Sequence, residues 1–293
     1  MQKTKKYFAE SELIINPDGS VFHLHLRPEY LADKVILVGD PGRVSLVASH
    51  LHSIECEVSN REFTTVTGRY ADKRITVVST GIGCDNIDIV LNELDALANI
   101  DFSTREENDT FRCLTIVRIG TCGGLQTDTP VGSFIASAKS IGFDGLLNFY
   151  ARRHEVCDLK LEEAFRSHTS LMQQIGHPYA VDADCELLDR IASDDMFRGI
   201  TIACGGFYGP QGRELRLPLA DPHLNEKIES FQYEGLLVRN FEMESSAVAG
   251  LSKLMGHKAV TCCMVIANRR SCNVNLTYKN TIDDLVKKVL ERI

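Results

Sequence analysis

Arg118 indicates a chemical function more clearly than any other residue in the chain, because it interrupts an apolar, strand-like run at residues 115–119. Burying a guanidinium without a partner is costly, so Arg118 either pairs with a carboxylate or binds an anionic ligand. Gly120 and Thr121 follow at once, and a glycine turn with a hydroxyl group suits an anion. The residue types alone leave both interpretations open.

A second candidate anion site is the turn Gly39-Asp40-Pro41-Gly42-Arg43, which follows a β-branched run. Backbone N–H groups at the start of a helix can bind an oxyanion, and Arg43 adds positive charge. Such turns also occur without ligands, and this one matches neither the P-loop nor the dinucleotide fingerprint. The motif predicts a strand-to-helix turn and leaves the ligand open.

Glu242 and Glu244 flank Met243 at the entry to a predicted helix. In an extended lead-in, residues two apart share a face, whereas on a helix they do not. A carboxylate can accept hydrogen bonds from two vicinal hydroxyls of a sugar. The simpler alternative is that acidic side chains favour the positive end of the helix.

The loop at residues 207–213 combines the ring of Phe207 with Gln211 and Arg213. Glutamine offers a donor and an acceptor, whereas arginine offers only donors. This pair matches the edge of uracil, on which an N–H lies between two carbonyl oxygens. A solvated loop without a ligand is the alternative.

Short apolar runs rich in β-branched residues predict strands at residues 35–38, 75–80, 114–119, 200–204 and 259–267. The first three end in glycine and polar residues. Strands that alternate with helices predict an α/β sheet with helices on its faces. Ligands of such sheets bind beyond the carboxyl ends of the strands, where the glycine turns are expected to lie.

Three helices follow from the 3.6-residue period and from capping residues. The stripe of the first consists of Ile87, Val90, Leu91, Leu94, Leu97 and Ala98. The second is predicted at residues 244–255 with Gly256 as its C-cap, and the last begins near Thr281. Residues 1–20 lack periodicity and predict a flexible arm before a single domain at residues 21–293. The charge-rich segment 151–179 is a candidate insertion.

Composition narrows the class of protein. The 293 residues are 44% hydrophobic and 25% charged, as in ordinary globular proteins. A net charge of −8 argues against nucleic-acid and anionic-membrane partners. No apolar run approaches the roughly 18 residues of a membrane span, and the basic N-terminus lacks the apolar stretch of a signal peptide. Ten cysteines without paired spacings, most of them inside apolar runs, predict buried, reduced thiols in the cytoplasm and no zinc site.

Taken together, the motifs resemble the nucleoside phosphorylase superfamily, and within it the uridine phosphorylases. The matching segments occur in order along most of the chain, at residues 22–24, 39–44, 61–65, 79–83, 118–121 and 241–245. The signature of the pyrimidine branch, Phe207 with Gln211-Gly212-Arg213, lies between the last two. The resemblance implies a single α/β domain around a distorted mixed central sheet flanked by helices. It also implies phosphorolysis of uridine, or a related pyrimidine nucleoside, to free base and ribose 1-phosphate.

The resemblance also implies roles for individual residues. The predicted phosphate ligands are Gly39, Arg43, Arg61, Arg118 and Thr121. The predicted ribose contacts are His23, which touches the 5′-hydroxyl, with Glu242, Met243 and Glu244. The predicted base pocket consists of Phe207, Gln211 and Arg213, the apolar residues Ile266 and Ala267, and Arg269, which supports the Gln–Arg pair. Arg118, Gln211 and Arg213 are the predicted catalytic residues.

Assembly and cofactors are further implications of the resemblance. His23 and Arg61 are expected to complete the site of a neighbouring subunit in a homodimer or a hexamer. Phosphate is the co-substrate, and no cofactor is expected. Glu62 matches a monovalent-cation ligand of some relatives, but Asn86 replaces a small hydroxyl residue there, which argues against that cation. His23 and His25 have no third ligand that would make a metal site.

Several alternatives stay open at this point. Purine phosphorylases usually carry an acid near the position of Asn268, and its absence favours a pyrimidine. The order Gly209-Pro210-Gln211 departs from the more frequent Pro-Gly-Gln and affects how Gln211 is aimed. A nucleosidase that uses water is disfavoured by the three predicted phosphate arginines. A binding protein without catalysis is disfavoured only because no site residue is lost.

Overall fold

The structure, a computed structural model, describes residues 5–278 and 281–293. These residues form two compact units. The first unit comprises residues 5–81 and 88–116, and the second comprises residues 82–87, 117–278 and 281–293.

The sheet of the first unit has the strand order β1-β4-β3-β2. Its strands are β1 (Lys34–Val38), β2 (His52–Asn60), β3 (Phe63–Tyr70) and β4 (Lys73–Ser79). β1 runs parallel to β4, while β3 is antiparallel to both β4 and β2. The helices of this unit are α1 (Pro41–Ala48) and α2 (Cys84–Asn99), of which the part from Asp88 onward belongs to the unit. A 3-10 turn lies at Pro28–Tyr30, and β5 (Ile100–Asp101) and β6 (Glu106–Glu107) form a small hairpin. The predicted strands and the apolar stripe of α2 are confirmed, since every residue of that stripe is buried.

The glycine turn after β1 lies at the carboxyl ends of two neighbouring parallel strands, as predicted. The Thr80 N–H donates to the Val38 carbonyl at 2.8 Å, and a Cβ on Gly39 would lie 3.4 Å from the carbonyl oxygen of Gly81. Asp40 caps α1 by accepting a hydrogen bond from the Gly42 N–H at 2.9 Å, with Pro41 as the first helical residue.

The described part of the N-terminal segment is attached to the first unit. The Phe8 N–H donates to the Arg105 carbonyl at 2.9 Å, and Arg105 Nη1 donates to the Leu13 carbonyl at 2.8 Å. Leu13 is buried. These contacts favour a packed segment at residues 5–20 over the flexible arm that the sequence predicts.

The second unit is built on a mixed sheet that closes on itself. Its strands are β7 (Thr115–Gly124, here from Val117), β8 (Phe134–Gly142), β9 (Tyr179–Asp182), β10 (Phe197–Ala203), β11 (Gln232–Tyr233), β12 (Leu236–Glu242), β13 (Lys258–Asn268) and β14 (Asn273–Val274). They run in the order β11-β12-β10-β8-β13-β7, and β12 also pairs with β7. β10 is parallel to β8 and β12, whereas β8 and β13 are antiparallel. The predicted distorted mixed sheet is therefore present, as a closed ring of β12, β10, β8, β13 and β7.

Helices cover the outside of this ring. They are α3 (Leu159–Thr169), α4 (Cys185–Ala192), α5 (Leu224–Ser230), α6 (Ser245–Met255) and α7 (Ile282–Arg292), with 3-10 turns at Leu146–Phe149, Arg153–Glu155, Gln173–Ile175 and Gly209–Gln211. α6 packs on β13, β8 and β9, and α3 packs on β9 and α5, so the candidate insertion 151–179 forms part of this layer. Gly256 ends α6 with a φ of 87°, and Thr281 precedes α7, which confirms both predicted boundaries.

One prediction about this unit is wrong. Residues 120–124 were expected to form a glycine turn, but they continue β7 to Gly124. Glycine is needed there because of crowding: a Cβ on Gly120 would overlap Arg118 Nη1 and lie 2.8 Å from Cys263 Sγ. A glycine inside a strand often marks such a close approach rather than a turn.

Within the described ranges, no helix is both long and apolar enough to cross a membrane. All ten cysteines are free, and those in the core are Cys84, Cys122, Cys204, Cys262 and Cys263. Cys113, Cys185 and Cys272 are exposed, so the predicted burial applies to only part of the set.

Candidate active site

Arg118 lies at the centre of a buried ionic cluster in the second unit. Its side chain is 5% exposed, and Nη1 lies 3.1 Å from Glu242 Oε2. Nη2 forms an ion pair with Glu244, and Nη1 also contacts Cys263 Sγ at 3.6 Å. Nε is buried and has no hydrogen-bond partner among the described residues. Arg118 is therefore paired with carboxylates, which was one of its two interpretations, while its Nε–H has no acceptor among the described residues.

The charges of this cluster perturb one another. Burial lowers the pKa of Arg118, but the carboxylates of Glu244 and Glu242 outweigh that effect and raise it overall. Burial raises the pKa of Glu242, and the nearby Glu244 adds to the rise while Arg118 opposes it. With two acidic side chains for one guanidinium, the cluster has no net positive charge of its own, so a phosphate bound by Arg118 needs further cationic groups.

Glu242 anchors the turn between β12 and α6. Its carboxylate accepts hydrogen bonds from the Glu244 N–H at 2.9 Å, the Ser245 N–H at 2.9 Å and the Ser245 hydroxyl at 2.6 Å. Together with the Arg118 contact, these bonds engage both of its oxygens. This set of partners favours a positioning role for Glu242 over the predicted ribose contact.

Glu244 is held by a different pair of groups, one on each carboxylate oxygen. The Gly83 N–H donates to Oε1 at 2.7 Å, while Arg118 contacts Oε2. Gly83 has a φ of 100°, and a Cβ there would lie 2.7 Å from Asp85 Oδ1, so this residue needs to be glycine. Each carboxylate oxygen has two lone pairs, so Glu244 keeps the capacity to accept from ribose hydroxyls. Beside it, the Met243 carbonyl accepts a bond from the Cys84 thiol at 3.2 Å.

Three of the predicted base residues, Phe207, Gln211 and Arg213, lie in one loop of the second unit. Arg213 Nη1 donates to the Phe207 carbonyl at 2.6 Å and to Gln211 Oε1 at 2.5 Å. The guanidinium carbon lies 3.7 Å from the centroid of the Phe207 ring, a cation–π contact. Gln211 is 2% exposed and Phe207 is 49% exposed. One face of the predicted aromatic platform is therefore covered by Arg213 itself.

Arg269 supports this loop from behind. Its Nη2 donates a hydrogen bond to the Gln211 carbonyl, which also accepts from Asn225 Nδ2 at 3.2 Å. Burial and the positive charge of Arg269 lower the pKa of Arg213 to about 10. The contact that the sequence predicts between Arg269 and the Gln–Arg pair is present.

The base loop reaches the closed ring at β7 and β13. A Cβ on Gly123 would lie 3.6 Å from Arg213 Nη2 and 4.0 Å from the Ala267 carbonyl. Ile266 and Ala267, the predicted apolar wall, are half-buried in the last part of β13. The loop also borders an apolar cavity of about 810 Å³, to which segment 151–179 contributes Met172 and Ile175.

Thr121 is less simply placed. It lies on β7 three residues after Arg118, and residues three apart face opposite sides of a regular strand. A phosphate shared by both would therefore use the Thr121 backbone or an irregularity of the strand.

The remaining predicted residues lie in the first unit. Gly39 follows β1, and Arg43 is 8% exposed on α1. Arg61 lies in the exposed turn between β2 and β3, with Glu62 beside it and a φ of 55°. Its guanidinium lies 5.7 Å from the centroid of the Phe22 ring, next to His23. The two side chains predicted to serve a neighbouring subunit are thus close to each other.

The model of the phosphorylase superfamily matches residues 33–292. The chain belongs to this superfamily. It is 28% identical over 270 residues to the uridine phosphorylase of Thermococcus kodakarensis, covering 89% of this chain and 82% of that protein. It is 27% identical over 242 residues to a DeoD-type purine nucleoside phosphorylase of Bacillus velezensis, covering 82% and 84%.

Among solved structures, this superfamily member superimposes on a Trypanosoma brucei nucleoside phosphorylase that is described as showing uridine phosphorylase activity. The TM-score is 0.85 at 27% identity, over 96% of this chain and 98% of the other. The predicted nucleoside phosphorylase-like α/β fold is confirmed.

Two residues that shape the site of this superfamily member escaped the sequence reasoning. Gly83 holds Glu244 across 161 positions, and its only signal was the second glycine of Gly81-Ile82-Gly83. Cys263 contacts Arg118 from β13 and gave no signal beyond its apolar run.

Proposed function

We propose that the chain catalyses phosphorolysis of uridine or a related pyrimidine nucleoside, giving the free base and ribose 1-phosphate. Membership of the superfamily and the similarity to uridine phosphorylases support the reaction class. The observation that carries the preference for a pyrimidine is the contact of Arg213 with Gln211 beside the Phe207 ring.

In this reaction, phosphate attacks C1′ of the sugar while the glycosidic bond breaks through an oxocarbenium-like state. The base leaves with negative charge developing on its carbonyl oxygens. Donors from Arg213 and Gln211 stabilise that charge, and a hydrogen bond to a charged group is worth about 1.5–3 kcal/mol. Holding the phosphate in line contributes up to roughly 7–11 kcal/mol.

The ribose and phosphate roles rest on the buried cluster. Glu244, with Met243, accepts the ribose hydroxyls, and its orientation is set by Gly83 and Arg118. Arg118 is the predicted phosphate ligand of this cluster, and its Nε–H has no acceptor among the described residues. Gly39, Arg43, Arg61 and Thr121 remain predicted phosphate ligands.

Asn268 supports a pyrimidine over a purine substrate. Its Nδ2 donates to the carbonyls of Gln126 and Thr129 at 2.9 Å each. Its Oδ1 accepts from the N–H groups of Arg270 and Ser271 at 3.0 Å each. The amide is therefore fully used inside the protein and offers no proton to a purine N7.

Phosphorolysis of a purine nucleoside is the second candidate, because the chain is also similar to a purine enzyme. The deciding experiment incubates the protein with uridine, thymidine, deoxyuridine and inosine, each with and without phosphate, and follows base release. Phosphate-dependent release from the pyrimidine nucleosides alone supports the proposal. Preference for inosine would establish the purine candidate, and release without phosphate would establish a nucleosidase.

The biological setting is part of the same proposal. We place the enzyme in pyrimidine nucleoside salvage in the cytoplasm, as a homo-oligomer in which His23 and Arg61 serve a neighbouring copy. Phosphate is its co-substrate, and no cofactor enters the reaction.

A further inference from the structure

The carboxylate of Glu93, on α2, accepts hydrogen bonds from two consecutive residues of a surface loop. Its side chain is 12% exposed, and Oε1 lies 2.6 Å from His23 Nδ1. The same oxygen accepts from the His23 N–H at 2.9 Å, and Oε2 accepts from the Leu24 N–H at 2.8 Å. Three N–H groups thus converge on one nearly buried carboxylate.

The rest of His23 is fixed as well. Its carbonyl accepts from Asn60 Nδ2 at 2.8 Å, and its ring packs edge-on against Phe22 at 4.8 Å and Phe63 at 6.4 Å between centroids. Ordering a surface side chain costs conformational entropy. His23 remains 26% exposed, so the burial of its own side chain stabilises the fold too little to offset that cost. Such ordering is typical of a side chain that has to present one atom in a defined direction.

The direction follows from the chemistry of the ring. The nitrogen that faces a carboxylate carries the proton, so Nδ1 is the N–H in the pair with Glu93. Nε2 has no partner within residues 5–278 and 281–293, and in the neutral ring it is an acceptor. A hydroxyl group, which can donate a hydrogen bond, is the group that this nitrogen suits.

We propose that Glu93 is the positioning residue that fixes His23 so that Nε2 accepts a hydrogen bond from the ribose 5′-hydroxyl. This inference rests on the proposed function, in which His23 contacts that hydroxyl. It makes Glu93 a determinant of specificity: the enzyme selects nucleosides with a free 5′-hydroxyl over those whose 5′ position cannot donate.

The test compares kcat/KM for uridine and for 5′-deoxyuridine in wild type, Glu93→Gln, His23→Ala and the double variant. We expect Glu93→Gln to lower kcat/KM for uridine by about fivefold to tenfold, the value of one hydrogen bond. The value for 5′-deoxyuridine should change by less than about twofold, and the double variant should equal His23→Ala. Asp95→Asn, on the same helix and hydrogen-bonded to Asn99 Nδ2 at 2.8 Å, is the matched control and should change neither value.

A purely structural role predicts a different pattern. If Glu93 only held the loop together, Glu93→Gln would reduce both substrates equally, and that result overturns the proposal. An unchanged value for uridine overturns it too. If the wild type used uridine and 5′-deoxyuridine equally well, there would be no contact to the 5′-hydroxyl. That result would overturn the proposal but would leave the proposed phosphorolysis intact.

A second measurement does not depend on the folding of the Glu93 variant. The ¹⁵N chemical shifts of the ring of His23 in the wild-type protein, assigned by their loss in His23→Ala, report which nitrogen carries the proton. We expect the proton on Nδ1, and a proton on Nε2 alone would contradict the inference. Because this readout needs no substrate, it tests the Glu93 contact even if uridine is not cleaved.

Discussion

Arg118 and Glu244 form a buried ion pair that joins the predicted phosphate and ribose subsites, with each side chain 5% exposed. The pair lies on β7 and at the start of α6, which are brought together because β12 pairs with β7 inside the closed ring. A ligand that binds either side chain therefore acts on the orientation of the other.

Arg118→Ala should remove most of the activity and also destabilise the protein. It leaves Glu242 and Glu244 as buried carboxylates without a cation, a change that costs about 3–5 kcal/mol. Urea unfolding measures the stability, and the dependence of rate on phosphate concentration measures the loss of the anion contact. Adding Glu244→Gln should recover part of the stability but none of the activity. Unchanged kinetics at low phosphate would contradict the role of Arg118.

Glu242→Gln and Glu244→Gln should separate anchoring from ribose binding. Glu242 accepts three N–H or O–H groups at the start of α6, so its replacement should lower the free energy of unfolding by about 1–3 kcal/mol. Glu244→Gln should instead raise KM for uridine more than it lowers stability. Steady-state kinetics and urea unfolding of the two variants check this, and a larger KM effect from Glu242→Gln would restore the predicted ribose contact of that residue.

Arg213→Ala should lower kcat by about tenfold to a hundredfold with a smaller change in KM. The reason is that the charge that Arg213 meets develops only in the transition state. Arg216→Ala, three residues further along the same exposed loop, is the matched control and should leave both constants unchanged. Single-turnover kinetics with uridine measure the effect. A change confined to KM would show that Arg213 binds the ground state instead.

Asp195 links α7 to the rest of the second unit, and its contribution should depend on pH. Hydrogen bonds and ion pairs with Arg292 and Lys288 lower the pKa of Asp195 below its ordinary value of 3.8. A carboxyl whose pKa is lowered on folding contributes stability above its unfolded pKa, and this is lost as the pH falls through the folded pKa.

Asp195→Asn should therefore cost about 0.5–1 kcal/mol at neutral pH, a value discounted for solvent screening of a partly exposed pair. The difference from wild type should shrink below about pH 4. Thermal or urea unfolding as a function of pH measures it, with Asp194→Asn as the neighbouring control. A difference that grows on acidification would have the wrong sign for this mechanism.

The sequence predicted elements wherever the pattern was local. α7 and the stripe of α2 follow from periodicity, and Gly256 ends α6 where a C-cap was expected. The prediction of a turn at residues 120–124 was wrong because glycine is ordinarily a turn signal. Only the packing of Arg118 and Cys263 against Gly120 explains why glycine is required inside β7.

The same limit applies to the candidate site. Gln211 and Arg213 are two positions apart, so their pairing could be predicted from the loop itself. Glu93 and His23 are 70 positions apart, and the hydrogen bond between them depends on how the chain folds rather than on any motif. Single-sequence reasoning found side chains with chemical function but not the distant groups that orient them.

The closed ring of strands in the second unit has a consequence for how substrate preference can change. Arg118 and Glu242 sit on β7 and β12, whose alignment is fixed by backbone pairing at Phe241 with Gly123. Phe207, Gln211 and Arg213, by contrast, lie on the connection that follows β10, outside that pairing. Chimeras that exchange residues 205–224 with those of a relative should therefore acquire a new nucleobase preference on an unaltered sugar-handling frame. The fold therefore separates a connection whose sequence can change easily, at residues 205–224, from the paired strands β7 and β12, whose sequence cannot.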